Sequence, residues 1–241
     1  MSGYSDSQSI HAKLLWEVKQ GVYRYSERLP RESILAERLN ISRTQLRDGL
    51  SQLEREGFIS RRQGVGTIIN RHVLEVKVRT DLEVEFIDMV EQSGHHAGVS
   101  FVHVQKTVAG ADTAKRLRIH EGSDILSVSR LITADGKETI YCEDYVPCII
   151  IKDSSYSEED FQAPIFQFLK RFCEVEPYLD LTEIRPVSAD ARLSELFKIE
   201  KGTPLLYMDE VDYDIDGMPI LYSVQYYTDG TIRHFLMRRK F

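Results

Sequence analysis

The stretch from Leu29 to Asn70, LPRESILAERLNISRTQLRDGLSQLEREGFISRRQGVGTIIN, limits what this chain can fold into more than any other. Pro30 has the fixed φ of a first helical turn. Ile34, Leu35 and Leu39 then recur at helical spacing on one face. Asn40 ends that helix, Ile41 plugs a tight turn, and Ser42 is an N-cap for the next helix. The spacing of Leu46, Leu50 and Leu53 predicts a second helix over about Arg43–Glu56, which Gly57 stops. Phe58–Ser60 reads as a strand, Arg61-Arg62-Gln63-Gly64 as a basic turn, and Gly66–Asn70 as the returning strand.

Two short helices, a tight turn and a basic hairpin make the sequence shape of a winged helix-turn-helix. A second helix that opens on Arg43, Thr44, Gln45 and Arg47 presents donors and acceptors to base edges and phosphates of a major groove. A turn tipped by Arg61, Arg62, Gln63 and Gly64 can approach the adjacent DNA backbone closely. Charge supports this placement. The whole chain is acidic, at −7, but residues 1–72 hold 12 Lys and Arg against 8 Asp and Glu, a net of +4. The remaining residues carry −11. The basic charge therefore sits on the segment that reads as a DNA reader.

The same stretch resembles the N-terminal domain of GntR-type bacterial transcription regulators. Leu29, Pro30, Glu32, Leu35, Ala36, Leu39, Ser42, Arg43, Arg47, Leu50, Leu53, Glu56, Gly57, Gly64, Gly66 and Thr67 fall in register with that family's pattern. Ser33 stands where the family has a DNA-touching arginine, Arg31 where it has a small residue, and Gln45 where it has threonine. The resemblance implies contacts to double-stranded DNA from Arg43, Thr44, Gln45 and Arg47, with Arg31, Ser33, Arg61, Arg62, Gln63 and Gly64 against the backbone.

Upstream, Ile10, Leu14, Leu15, Val18 and Val22 predict a helix over about Ser9–Tyr23 that completes a three-helix core, after a polar, frayed start at residues 1–7. The N-terminus has neither a basic n-region nor an apolar h-region, and no stretch approaches the roughly 18 apolar residues of a membrane span. Cys142, Cys148 and Cys173 are odd in number and lack C-x-x-C spacing, which points to free thiols in a reducing cytoplasm. These features give a winged domain at 1–72, a linker at 73–81 and a second domain at 82–241.

In the second domain a helix is expected over Leu82–Gln92 and a strand over 99–108, followed by an internal repeat. AKRLRIHEGSDILSVSRLITADG from Ala114 and SELFKIEKGTPLLYMDEVDYDIDG from Ser194 align Ile119 with Ile199, Gly122 with Gly202 and Leu126 with Leu206. Asp135-Gly136 aligns with Asp216-Gly217 after one inserted residue. Tyr141 and Tyr222 follow at matching distances, as do Tyr145 and Tyr226. Each copy reads as helix, Gly turn, strand, Asp-Gly hairpin and strand. The period is too long for a solenoid, so the repeat predicts one α+β domain with pseudo-two-fold symmetry and a shared antiparallel sheet. A helix over Glu158–Arg171 and a strand over Tyr178–Val187 lie between the copies.

This half resembles the UTRA effector-binding domain of the HutC branch of GntR regulators, a fold related to chorismate lyase. The resemblance implies a small-molecule effector near the hairpin strands of both repeats, a homodimer and a palindromic operator. Arg130, Tyr141, Glu143, Tyr145, Tyr222, Tyr226 and Asp229 are the candidate effector residues, and Arg233 matches a further polar position. Members that bind sugar phosphates carry R-x-R before the first Asp-Gly and S-x-Y on the intervening helix. Here those places hold Arg130-Leu131-Ile132 and Pro164-Ile165-Phe166, which weakens the case for a sugar phosphate. A polar or anionic metabolite is expected, with Arg130 able to anchor a carboxylate or a single phosphate. His95, His96 and His103 lack matched acidic or Cys ligands, and no spaced Ser/His/Asp set stands out. Neither a metal, a cofactor nor an enzymatic activity is expected.

Overall fold

A computed structural model describes residues 3–82 and 84–238. The expected outer limits, 1 and 241, and Glu83 in the expected Leu82–Gln92 helix lie outside the described residues. The chain divides into two compact units, Met1–Glu83 with His234–Phe241, and Val84–Arg233. This departs from the expected boundaries in two places. The connector 73–81 is built into the first unit, and the segment from His234 returns to that unit instead of staying with the second.

The first unit opens with α1 (Gly3–Lys19), α2 (Glu32–Leu39) and α3 (Arg43–Arg55). α1 begins earlier and ends sooner than the apolar stripe suggested. Gln20 and Gly21 both turn back to the Trp16 carbonyl, which leaves Val22 exposed. Ile34, expected to face inward, is also exposed, and α2 buries Leu35, Ala36 and Leu39. Asn40 ends α2 in the left-handed region, at φ 54°, its N–H bonded to the Ala36 and Glu37 carbonyls. A short amide side chain tolerates that conformation better than most. Ser42 caps α3 in a reciprocal box: its hydroxyl accepts from the Gln45 N–H, and the Gln45 carbonyl accepts from the Ser42 N–H. Leu46, Leu50 and Leu53 are fully buried with Leu14, Val18 and Leu35 in one core.

The wing is β1 (Ile59–Arg62) against β2 (Gly66–Ile69), antiparallel, with Ile59 opposite Ile69 and Arg62 opposite Gly66. A helical turn α4 (Arg71–Leu74) follows, then β3 (Val78–Arg79). β3 pairs in parallel with β10 (His234–Phe235), the last strand.

The second unit begins with α5 (Phe86–Gln92), shorter than expected because Glu85 is extended at ψ 146°. Its sheet has six antiparallel strands in the order β4-β5-β6-β9-β8-β7. They are β4 (Ala97–Val108), β5 (Asp124–Ala134), β6 (Lys137–Pro147), β7 (Leu179–Ser188), β8 (Pro204–Tyr213) and β9 (Pro219–Thr228). α6 (Ala111–Leu117) and α8 (Ala191–Phe197) are the repeated helices. They end identically: Arg118 and Lys198 are left-handed C-caps, and Gly122 and Gly202 follow at φ 83° and 89°. The two hairpins meet at β6 and β9 in the centre of the sheet, as the repeat requires. Asp135 and Gly136 both have positive φ and form a two-residue hairpin loop.

The single helix expected over Glu158–Arg171 is instead three short turns: a 3-10 turn at Glu158–Phe161, α7 (Ile165–Phe168) and a π turn at Leu169–Cys173. Pro164 is the cause. It has no N–H to donate, it disfavours a helical conformation at the residue before it, and its own backbone is extended at ψ 142°. The turns pack Phe161, Phe168 and Phe172 against Tyr156 and bury one face of the sheet. Truncating Leu53 to alanine is expected to destabilise the first unit by about 2–5 kcal/mol, since the site is fully enclosed. Calorimetry of the full chain should show the transition of the first unit lowered while that of the second holds.

Candidate functional site

On the first unit, Arg43 and Thr44 project from the opening turn of α3 and are exposed, as are Arg31, Ser33, Arg62, Gln63 and Gly64. Arg47 is exposed too, and its Nε donates to Glu32 at 2.8 Å. That hydrogen bond and charge raise its pKa above the ordinary arginine value. Two candidates are partly engaged elsewhere. The Gln45 carbonyl belongs to the N-cap box, which leaves its amide N–H₂ to donate. Arg61 lies back on α3, donating to Glu54 at 2.7 Å and to Ser51 at 2.9 Å. Arg43 at the helix start, Arg62 at the wing and Arg31 before α2 are exposed without such engagement, and Gly64 at φ 77° makes the tip turn.

On the second unit the effector candidates fall on two faces of the sheet. Side chains alternate along a strand, so opposed residues share a face. A two-residue loop at Asp135-Gly136 alone would set Arg130 opposite Tyr141. The ladder instead slips between Ile132 and Thr133, where Thr133 pairs with Glu138 and Ile132 with Ile140. Thr139 is the extra residue. This bulge sets Arg130 opposite Cys142 and puts Tyr141 on the other face.

The tyrosine face carries α6 and α8. Tyr141 stacks on Tyr226 with ring centroids 6.2 Å apart, and Tyr145 stacks on Tyr222 at 5.5 Å. Glu143 accepts from Tyr141 at 2.6 Å, from Tyr145 at 3.2 Å and from Arg192 at 2.8 Å. Burial opposes ionisation of Glu143, but those donors hold its pKa below the usual value. Burial and the Glu143 bond push the Tyr141 phenol up to about 12. In the other repeat Asp209 plays the corresponding part, accepting from Tyr207, Tyr222 and Arg116. Asp229 and Arg233 are exposed beyond the end of β9.

The opposite face is where Arg130 lies. It is 5% exposed. It donates to Asp144 at 2.8 Å and to the Ala163 carbonyl at 3.2 Å, and it sits over the Phe86 ring at 5.7 Å. Burial disfavours its charge, yet Cys142, Asp144 and Glu85 outweigh that and raise its pKa. Asp144 also accepts from Ser223 at 2.7 Å. Glu85 is desolvated and lies near Asp144, and its carboxyl is pushed up to about 7 in spite of Arg130. Burial similarly raises Glu210 to about 7, beside Thr182 and Gln225. The sequence reading found Arg130 but missed Glu85, Asp144, Arg192, Asp209 and Glu210. Asp144 and Glu210 had a signal, a charge on an otherwise apolar strand face. Arg192 had none, because it is an ordinary polar residue on a short helix.

His95, weighed with His96 and His103 as a metal group, bonds to Asp135 at 2.7 Å, and the same carboxylate takes the His96 N–H at 2.9 Å. That arrangement pins the hairpin loop. Among the described residues no helix is long and apolar enough to cross a membrane.

Comparison with known proteins agrees with this architecture. Residues 6–69 match the bacterial regulatory proteins of the gntR family, and residues 92–231 match the UTRA domain. The "Probable fructoselysine utilization operon transcriptional repressor" of Escherichia coli K12 is 24% identical over 214 residues, 88% of this chain and 86% of that protein. The transcriptional repressor NagR of Bacillus subtilis is 23% identical over 231 residues, 95% of this chain and 93% of that protein. The crystal structure of the possible transcriptional regulator YydK from Bacillus subtilis superposes with a TM-score of 0.78 at 19% identity, over 97% of this chain and 99% of that one. A basic winged helix-turn-helix and a repeat-built UTRA domain on one polypeptide place this chain in the gntR family of DNA-binding transcription regulators, not among enzymes.

Proposed function

We propose that this protein is a repressor that binds a palindromic operator as a homodimer and is released by a polar small-molecule effector held in its second unit. The observation that carries the DNA half is the exposed cationic edge of the basic unit, where Arg43, Thr44 and the Glu32-paired Arg47 open α3 and Arg62, Gln63 and Gly64 lie at the wing. Arg43 and Arg47 lie one helical turn apart, so both leave the same face of α3, and arginine suits bidentate contact to guanine as well as phosphate. Two relatives carry the word repressor in their names, which favours that sign of regulation. Dimerisation is favoured by β7, an edge strand with Leu179, Leu181 and Ile184 exposed. An apolar edge of that kind calls for a partner.

We assign the effector to the Arg130 face. The hydroxyls of Tyr141, Tyr145, Tyr207 and Tyr222 are committed to Glu143 and Asp209, and they hold α6 and α8 to the sheet. On the other face the buried Arg130 Nε has no hydrogen-bond partner. Asp144 already neutralises that guanidinium, so a multiply charged anion would compete with a buried ion pair. A neutral polar or singly charged metabolite fits better.

Duplexes enriched by the protein from a random library, followed by fluorescence anisotropy, test the DNA half. Arg43→Ala should weaken binding by about 1–3 kcal/mol and relax preference at one position per half-site. Arg62→Ala should weaken all sequences alike and lower the slope of log K against log salt by about 1. Unchanged binding in both variants would refute the assignment.

The carboxyl of Glu85 makes a pH prediction. Its folded pKa is about 7 against 4.5 for the ordinary group. The folded state therefore holds more protons between those values, and stability falls as pH rises through that window. Glu85→Gln should leave stability unchanged at pH 4 and raise it by roughly 1–3 kcal/mol at pH 8. Denaturant titrations at the two pH values would show this, and an equal effect at both would contradict it.

A further inference from the structure

The chain passes between its two units twice, at residues 83–84 and 233–234. Both passages start from one place in the second unit. Phe86, the first residue of α5, packs edge-on against Tyr227, near the end of β9, with ring centroids 6.4 Å apart. Arg130 lies over the same Phe86 ring. Along the chain, residues 80–85 lie between β3 and α5, and residues 229–233 between β9 and β10.

The passages also end in one place. β3 and β10 pair, with Val78 opposite His234 and Arg79 opposite Phe235. The Thr80 N–H donates to the Phe235 carbonyl at 2.7 Å, and the Met237 N–H donates to Asp81 at 3.3 Å. This clip is fastened to α3 by Arg79, which is 5% exposed. Its guanidinium donates to both oxygens of Asp81 and to the Glu56 carbonyl, and it lies over the Phe58 ring at 5.2 Å. Glu56 is the C-cap of α3, where carbonyls lack helical partners and a cation is favoured by the helix dipole. Asp81 holds its charge against burial because Arg79 and the Met237 N–H bind it.

We infer that the C-terminal segment His234–Met237 is a second conductor of the regulatory signal, and that Arg79 is the positioning residue that delivers it to the recognition helix. The inference rests on the effector assignment made above, and it names the route. A ligand that shifts Phe86 or Tyr227 moves the roots of two short tethers at once. The paired strands convert that into a pull on the C-terminal turn of α3. With the tail removed, only one tether remains and Asp81 loses the Met237 N–H.

Amide hydrogen exchange of the full chain, with neither DNA nor effector present, tests this. Phe86→Ala disturbs both roots inside the second unit. It should speed exchange of the amides at residues 54–58 by at least about fivefold, the lower end of measured couplings between sites. In a chain ending at Arg233, Phe86→Ala should add a clearly smaller increment to those amides than it does in the full chain, because one tether remains. Unchanged amides in the full chain, or an equal increment in the truncated one, would overturn the inference. If Phe86→Ala exposes the whole second unit to exchange, Phe86→Leu is read in its place by the same criterion. Because DNA is absent, a negative result leaves the DNA-binding reading standing, and loss of operator binding would not imitate it.

Discussion

The pairing of β6 with β9 is the contact on which the second unit depends. Each repeat by itself is a helix and a two-stranded hairpin, too small to enclose a core. Joined at Ile140–Tyr145 and Tyr222–Tyr227, the two hairpins become the centre of a six-stranded sheet. That sheet has two usable faces. One is sealed by α6 and α8 through stacked tyrosines gripped by Glu143 and Asp209. The other is covered by the broken turns around Phe161, Phe168 and Phe172 and keeps a charged interior around Arg130 and Asp144.

The division of labour between these faces follows from burial and charge. On the tyrosine face Glu143 and Asp209 each have an arginine partner, Arg192 and Arg116, an arrangement suited to anchoring helices. On the Arg130 face the guanidinium meets Asp144 and Glu85 in a poorly hydrated layer, and Glu210 lies on the same face beside Thr182 and Gln225. Burial without full compensation raises two of those carboxyls. Groups held in that condition respond readily to a polar ligand, because a modest new partner changes their charge. Residues of the same face, Phe86 and Tyr227, lie at the roots of both passages to the first unit, next to the proposed effector site.

How much of this was legible in the sequence depended on the range of the interaction involved. The first unit was readable almost throughout, since caps, turn residues and helical spacing act within a few positions. Asn40, Ser42 and Gly57 each stand where local chemistry demands them. Ile34 and Val22 were exceptions: both fit the apolar periodicity, but the packing of Leu35 and Ala36 turns Ile34 outward and the turn at Gln20-Gly21 leaves Val22 exposed. In the second unit the repeat revealed the sheet and its symmetry. The assignment of residues to faces was out of reach, because a single bulged residue, Thr139, separates Arg130 from Tyr141 and no local pattern announces it. The return of His234 and Phe235 to β3 was equally hidden, being a pairing between residues far apart in sequence.

The central claim is that the two units are coupled: what the second binds decides how tightly the first holds DNA. The most direct test is a screen of polar metabolites for release of a fluorescent operator duplex by the full chain, followed by titration of each active compound into free and operator-bound protein. Linkage requires that a compound weakening operator binding by some factor binds the operator-bound protein more weakly by the same factor. The account predicts such a compound, with matched factors of about 5–150 in both directions. Compounds that bind the second unit and leave operator affinity untouched would contradict it.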